Sequence, residues 1–433
     1  MTSSVLIEEE KKEEDPKLRV LIVGAGLAGL SAALSLIHKN DAVKVTIVES
    51  RPDFNSRGAT FGMNPLAQKA LKELASSPDL VEQLKNEGVL LPTGGYMLPW
   101  GLVRDKLLED VEKNSDKITI HLGVSIESVV ERDEQDACCP PLVATFKDSD
   151  LRIDADVLIG ADGVHSFVRT NILKAPPPIP SRAHVWRGSI DTKVMPEVLD
   201  YPVAKFVSFR GAILLSYFNF HPKVDGATAW VLFTKTDKLP ENCRDIKPGT
   251  TRPQDLLETF MASVEDPDDE LVENYQTAMR AFENPTRPED LTWSSEMKVV
   301  DLNTQNDVEW GGKGRITLIG DAAHAVRPAS GLGGGLAFED SALLGRYLEK
   351  CGAEDDGDNI EGQLRAFETH RLPRCKSISN DQSLRSELSY KVGFYKIPQW
   401  DPKYQQWVDD GFDASPEPPV SETEVFGDLL KEL

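Results

Sequence analysis

Apolar residues along the chain follow two periods, and the local period decides the element. Residues 19–24, RVLIVG, form an apolar run rich in Val and Ile. That is the pattern of a parallel strand buried on both faces. Residues 27–39 then carry Leu, Ala and Ser at helical density, and residues 43–49, VKVTIVE, alternate as a second strand. Together they predict a βαβ unit at the start of the folded part. Residues 64–88 are helical in period, with Leu66, Ala70, Leu71 and Leu74 on one face, and 102–114 predict another amphipathic helix. Strands are predicted at 117–122, 124–131, 142–147 and 156–160.

From residue 175 the pattern changes. A Pro-rich crossing, PPPIPSR, leads into alternating aromatic and β-branched runs at 183–190, 203–209, 212–220 and 227–234. Such runs predict antiparallel sheet. Helices are predicted at 253–263 and 268–282, and a strand at 293–300. RITLIG at 315–320 is a buried strand of the same kind as the first, followed by helices at 333–350 and 360–390. The expected fold class is α/β: a Rossmann-like nucleotide-binding domain (18–174 and 301–390) interrupted by a mixed or antiparallel β-sheet domain (175–300). Residues 1–17 are expected as a disordered tail, and the acidic, Pro-rich segment 391–433 as a partly docked C-terminal tail. The interleaving lets motifs from both ends of the chain meet at one ligand.

Composition narrows the class. The 433 residues are 40% hydrophobic and 27% charged, within the range of a soluble globular enzyme. Asp and Glu total 71 against 48 Lys and Arg, a formal net charge of −23. That balance argues against nucleic-acid binding, which needs a basic surface, and disfavours docking on anionic lipid. The five cysteines show no metal-ligand spacing, so neither a metal site nor a disulfide framework is expected, and a reducing, cytoplasmic setting is the default. The N-terminus has neither the basic start nor the apolar core of a signal peptide. Residues 20–37 make an 18-residue apolar or small run, but its spaced glycines fit strand, turn and helix better than a membrane span.

Three motifs carry candidate chemistry. Gly24-Ala25-Gly26-Leu27-Ala28-Gly29 lies between the first strand and helix. Its glycines permit a tight turn, close approach to a pyrophosphate and close helix–strand packing. The helix start offers free N–H groups to the anion. Glu49, ending the next strand, is placed to accept from an unphosphorylated ribose, as in FAD or NAD; Ser50 and Arg51 follow it. The second motif, DVLIGADGVHSFVR at 156–169, runs a strand into Gly160-Ala161-Asp162-Gly163, with Ser166 and Arg169 beyond. Taken alone it reads equally as a strand and an ordinary Asp-Gly turn. The third, at 315–340, runs a strand into Gly320-Asp321, then Pro328, Gly331, Gly333, Gly334 and a helix. A carboxylate at a strand end can bind a second ribose, and a glycine-rich turn into a helix can bring N–H groups to an electron-rich ring.

In this order and spacing the three motifs resemble those of the flavoprotein aromatic hydroxylases, single-component FAD-dependent monooxygenases with the para-hydroxybenzoate hydroxylase type of fold. The resemblance spans residues 19 to about 390. It implies that Gly24, Gly26, Gly29 and Glu49 bind the ADP part of a non-covalent FAD. Asp162, Gly163 and Arg169 would serve FAD and NAD(P)H, and Asp321 the ribityl and ribose region. It also implies that Arg104 stands near FAD at a helix start. Pro328, Gly331, Gly333, Ala337, Glu339 and Asp340 match the family's spacing after Gly-Asp. His324 would lie near FAD with no catalytic role. The implied reaction uses NAD(P)H and O₂ to hydroxylate a small aromatic or related organic substrate through a flavin 4a-hydroperoxide. Such a site must be dry, and Trp186, Phe206, Phe209, Leu215, Tyr217, Phe218 and Trp230 are candidate walls. By alternation, only one of the pairs Leu215/Tyr217 and Ser216/Phe218 can face the flavin. Arg187, Arg210, His184 and His221 are candidates to orient or deprotonate a phenolic or carboxylate substrate. No residue is assigned to catalysis, since the cofactor carries the chemistry.

Epoxidases and prenyl-chain reductases share the motifs and stay open as alternatives. Flavin halogenases carry a Trp-x-Trp-x-Ile-Pro segment that this chain lacks. A redox-sensing or cytoskeleton-binding module is disfavoured, as is the C-terminal anchor of kynurenine-type hydroxylases. Expected partners are the organic substrate and O₂, with no nucleic acid and no membrane span, in a monomer or homodimer.

Overall fold

The computed structural model describes residues 18–55, 60–74, 79–90, 95–132, 140–191, 193, 204–219, 227–283, 292–302, 310–327, 331–352, 359–392, 403, 406, 407 and 410. The tail at 1–17, Pro328 and His221 lie outside them, as does nearly all of 391–433.

The opening unit has the bounds its apolar pattern predicts to within a residue: β1 (Leu18–Val23), α1 (Leu27–Lys39) and β2 (Val43–Glu49). Next come β3 (Thr60–Met63), α2 (Pro65–Leu74), α3 (Leu80–Glu87), β4 (Val89–Leu90), β5 (Tyr96–Pro99) and α4 (Trp100–Lys113). The helix expected over 64–88 is therefore two helices. Pro78 intervenes in the sequence, and it has no N–H with which to continue one. Strands β3, β5 and β4 form a small antiparallel sheet whose short members show no readable alternation.

After β6 (Ile118–Leu122), strands β7 (Ile126–Glu131), β8 (Leu142–Phe146) and β9 (Arg152–Ala155) form a second small antiparallel sheet. Then β10 (Val157–Gly160) returns to the main sheet, and a π-helical turn follows at Val168–Ile172. The chain next builds β11 (Ile179–Asp191), β12 (Ala204–Phe209), β13 (Ile213–Asn219) and β14 (Ala227–Thr234). Helices α5 (Pro253–Ala262) and α6 (Asp269–Glu283) and strand β15 (Thr292–Val299) complete that excursion. The chain closes with β16 (Ile316–Leu318), α7 (Asp321–His324), α8 (Gly333–Tyr347) and α9 (Ile360–Val392).

The main sheet is parallel throughout, in the order β16-β10-β1-β2-β6. Residues from both ends of the chain thus share one sheet, and all three motifs leave the same, C-terminal ends of β1, β10 and β16. In an open α/β sheet that edge is where ligands bind. Helices α1 and α8 pack closely enough for the Ser31 and Ser341 hydroxyls to bond at 2.7 Å.

The interrupting sheet is antiparallel, in the order β12-β13-β14-β11-β15, and its two faces do different things. Trp186, Phe209, Leu215, Tyr217, Trp230 and Leu232 bury against Leu257, Phe260, Ala278 and Phe282 of α5 and α6. Val185, Leu214, Val231, Phe233 and Met297 turn the other way, where Val89 and Met97 of the small sheet meet them. This corrects the expectation that Trp186, Tyr217 and Trp230 line a substrate pocket, and with them Phe209 and Leu215. They form the core beneath the helices, on the face away from the nucleotide-binding domain. Trp186 donates its Nε1–H to the Thr251 carbonyl at 2.8 Å. The Trp230 indole lies 4.7 Å from the Phe282 ring and over Gly188, where a Cβ would overlap it. The choice between the two alternating pairs is also settled: Leu215 and Tyr217 face the helices, and Ser216 shares the opposite face with Val231, its cross-strand partner. The side chains of Phe206 and Phe218 lie outside the described set.

Candidate functional site

The first turn is shaped by what its glycines leave out. Gly24 has φ +107°, a left-handed conformation that L side chains rarely adopt, and a Cβ there would also overlap the Ala161 carbonyl at the next strand end. A Cβ on Gly29 would overlap the Gly24 carbonyl oxygen, so helix and turn can only approach this closely without one. Around Gly26 nothing lies within 4 Å of a Cβ position. Its neighbours do not require a glycine; open space sits there instead. No side chain caps α1, and its first internal bond runs from Leu30 N–H to the Gly26 carbonyl. Leu27 and Ala28 therefore present helix-start N–H groups toward that space, together with the positive end of the helix dipole.

Glu49 is bonded into the same turn. One carboxylate oxygen accepts from Ala25 N–H at 2.9 Å, and the other from Arg51 N–H at 2.9 Å and the Ser50 hydroxyl at 3.2 Å. Arg104 on α4 is 5% exposed. Its guanidinium lies over the Phe54 and Trp100 rings at 5.6 and 5.5 Å and bonds Asp105. Phe54 belongs to the segment after β2, so Arg104 stands beside the Glu49 end of the cleft.

The second motif proves to be mainly a clamp. Asp162 accepts from the N–H groups of Phe167 and Val168 at 2.7 and 3.1 Å, which starts the π-helical turn. Its other oxygen is buried without a partner among the described residues, and burial raises its pKa. Beyond it, Gly163 has open space where a Cβ would be. Arg169 is placed differently from its expected role beside FAD. The side chain is buried, donating from Nε to the Pro176 carbonyl at 2.7 Å and from Nη1 to the Ala322 carbonyl at 3.2 Å and that of Ala323 at 3.4 Å. Burial brings its pKa down to about 10. Those bonds tie the second motif to α7, the start of the third.

The third motif forms the floor of a cleft. Gly320, with φ +59°, turns the chain out of β16, and Asp321 begins α7. Asp321 is exposed to solvent, and desolvation by the neighbouring protein nevertheless raises its pKa. Exposure together with partial desolvation fits a carboxylate in a recess at the strand ends. Beside it α8 starts without a side-chain cap, at Gly333-Gly334-Gly335, with no acidic residue in its first turn. A Cβ on Gly333 would stand 3.7 Å from Asp321 Oδ1; one on Gly334 would overlap the Phe61 ring. Gly331 has open space around it and, with Gly62 of β3, closes that end. Pro328 lies outside the described residues.

Across the recess stands Arg187, on the face of β11 that carries Val231 opposite it on β14. Burial lowers its pKa, and the Asp321 carboxylate is close enough to raise it in part. Among the described substrate candidates, Arg187 alone reaches this recess. Arg210 sits exposed in the β12–β13 turn and pairs with Asp268 at 3.0 Å, before α6, which corrects its place in a pocket. His184 lies in the sheet with Nδ1 3.3 Å from the Thr236 hydroxyl, and burial lowers its pKa.

Behind the floor is a group of side chains that motif reading reached only in part, naming Glu339, Asp340 and His324 but not Arg371. Asp340 accepts at one oxygen from Gly320 N–H at 2.8 Å and His324 Nε2 at 2.6 Å, and at the other from Arg371 Nε at 2.8 Å. Desolvation opposes the charge on both partners. The contact wins: Asp340 is held below the usual carboxylate range and His324 well above the usual imidazole range. Cys375 is also near, but with both Asp340 oxygens already engaged this grouping is a bonded network, not a set of vacant metal ligands. The sequence signal for it was the Glu339-Asp340 spacing; its partner on α9 carries none.

The geometry fits a dinucleotide laid along the strand ends: an uncapped helix and an open Gly26 at one end, a recessed carboxylate and a glycine helix start at the other. The comparisons agree. Residues 96–381 match the family model described as an FAD binding domain, and residues 19–161 that of an FAD dependent oxidoreductase. The aurachin C monooxygenase/isomerase of Stigmatella aurantiaca is 26% identical over 410 residues, covering 90% of this chain and 92% of the relative. Salicylate hydroxylase of Pseudomonas putida is 26% identical over 406 residues, covering 86% of each. Among solved structures, Klebsiella pneumoniae HpxO with FAD and uric acid superposes with a TM-score of 0.64 at 18% identity, covering 92% of this chain and 93% of that one, which shows the shared fold. The chain belongs to the FAD-binding-domain family of FAD-dependent monooxygenases.

Proposed function

We propose that this protein uses NAD(P)H and O₂ to hydroxylate a small aromatic or related organic substrate, which Arg187 orients through a carboxylate or phenolate. The observation carrying this reading is the approach of Arg187, on the antiparallel sheet, to Asp321, on the Gly-Asp turn. That approach supports reading Arg187 as a charged donor on the wall facing the cofactor floor. A planar guanidinium there suits a planar anion.

Bound FAD supplies the electron transfer and oxygen activation that no side chain provides. The chain's residues bind, orient and exclude water. The start of α1 at Gly26 to Ala28 would hold the pyrophosphate, and Glu49 and Asp321 would accept from sugar and ribityl hydroxyls. The N–H groups of Gly333 to Gly335 would face the electron-rich edge of the ring, where a helix start favours negative charge. Val185, Leu214, Val231 and Phe233, packed against Val89 and Met97, would back that wall with apolar material that helps keep water from the reacting centre.

Epoxidation is the second reading. Zeaxanthin epoxidase of Prunus armeniaca is 24% identical over 390 residues, of which this chain spans 54% of the length. NADH and NADPH oxidation, followed with phenols, phenolic carboxylates and alkenes, separates the two. We expect oxidation coupled to hydroxylation of a phenolic carboxylate. Arg187→Gln should raise its KM by about 10- to 100-fold, the value of a charge-assisted hydrogen bond, with FAD occupancy unchanged. Turnover with alkenes only, or an unchanged KM in that variant, would overturn the reading.

A further inference from the structure

We infer that Asp340 is a positioning residue for the cofactor: it sets the Gly320 turn that delivers Asp321 into the cleft, and it is itself set by Arg371. The inference rests on the FAD reading above and extends it to side chains that touch no part of the cleft.

The bonding is specific at each step. Gly320 takes a conformation (φ +59°, ψ −142°) that L side chains rarely adopt. Its N–H is the group Asp340 Oδ2 fixes, at 2.8 Å. The same oxygen takes Nε2 of His324, the last residue of α7, at 2.6 Å. One carboxylate oxygen therefore grips α7 at both ends, and Asp321 lies between. The other oxygen is held by Arg371 from α9. Arg371 Nη1 reaches Glu339 at 2.6 Å, and Glu339 also takes Arg374 at 2.8 Å. All five side chains are no more than 1% exposed. A wholly buried carboxylate with both oxygens engaged, in three hydrogen bonds, leaves the turn little freedom. Side chains locked in this way transmit sub-ångström precision to a site they do not contact.

A merely structural role would cost stability alone, so the test compares two buried acids. Glu339 is as deeply buried and ion-paired as Asp340 but makes no bond to the Gly320 turn. The full-length protein is freed of FAD, and FAD affinity is titrated by flavin fluorescence alongside the melting temperature of the apoprotein. We expect Asp340→Asn to weaken FAD at least tenfold more than Glu339→Gln does at comparable loss of melting temperature. Arg371→Lys, which keeps the charge but loses the fork, should also weaken FAD and shift the spectrum of the bound flavin. If Asp340→Asn fails to fold, the Arg371→Lys result decides alone. Parallel losses in the two acid variants, or unchanged affinity in Arg371→Lys, would overturn the inference. Failure of the wild-type protein to bind FAD would overturn the cofactor reading instead.

Discussion

Gly26 and Gly29 stand in one turn for opposite reasons. At Gly29 a methyl group would enter the Gly24 carbonyl, which is backbone and cannot swing aside; at Gly26 it would meet no protein atom within 4 Å. Gly26 also has φ −76° and ψ −173°, which alanine adopts without strain. We therefore expect Gly29→Ala to destabilise the apoprotein by about 3 kcal/mol, as overpacking does. Gly26→Ala should stay within about 0.5 kcal/mol of wild type, as an unobstructed site does. FAD affinity should be lost in both. Urea melts of the apoproteins together with flavin titration separate the two glycines. An apoprotein weakened by Gly26→Ala would mean that the turn, and not a ligand, needs that residue.

At the level of elements, sequence pattern and structure agree where burial is uniform. β1, α1 and β2 are legible almost to the residue because a central parallel strand leaves an unbroken apolar run and its helix an obvious start. β3, β4 and β5 are not legible, since strands of two to four residues show no period. On β13 and β14 alternation gives two faces correctly, yet cannot say which one fronts the cleft. Covering by α5 and α6 decides that, and Trp186, Phe209, Tyr217 and Trp230 lie on the face those helices cover. Arg169 illustrates the same limit within a motif, for its spacing is visible in the sequence but the carbonyls of α7 that occupy it are not. The least legible contact is between α9 and the C-terminal segment. Trp407 is 4% exposed, its ring 4.5 Å from the Arg374 guanidinium, and its carbonyl accepts from Arg374 at 2.9 Å. Truncating it opens a cavity over a buried charge. Trp407→Ala should cost about 3 kcal/mol of stability, the usual size for a buried tryptophan. Trp407→Phe, which keeps a ring over the cation, should recover most of the loss. Equal losses in both would mean that the ring does not shield Arg374.

For the whole molecule, the net charge of −23 and the positive Arg187 in the cleft act on an incoming anion over different distances. At about 10 mM salt the screening length is roughly 30 Å, long enough for the acidic surface as a whole to repel a carboxylate substrate. At about 150 mM it shortens to roughly 8 Å, and only groups near the cleft mouth still act. Under the proposed function, Arg187 would lie within that range of a docked substrate and would continue to attract it. With NAD(P)H saturating, so that its own charge does not enter, kcat/KM for a carboxylate substrate should rise about two- to fivefold between those salt concentrations, as released repulsion speeds encounter. A neutral substrate of the same shape should show no change. A fall over the same interval for the carboxylate would mean that the field inside the cleft, and not the acidic surface, governs approach. The guanidinium would then be the steering group as well as the docking one.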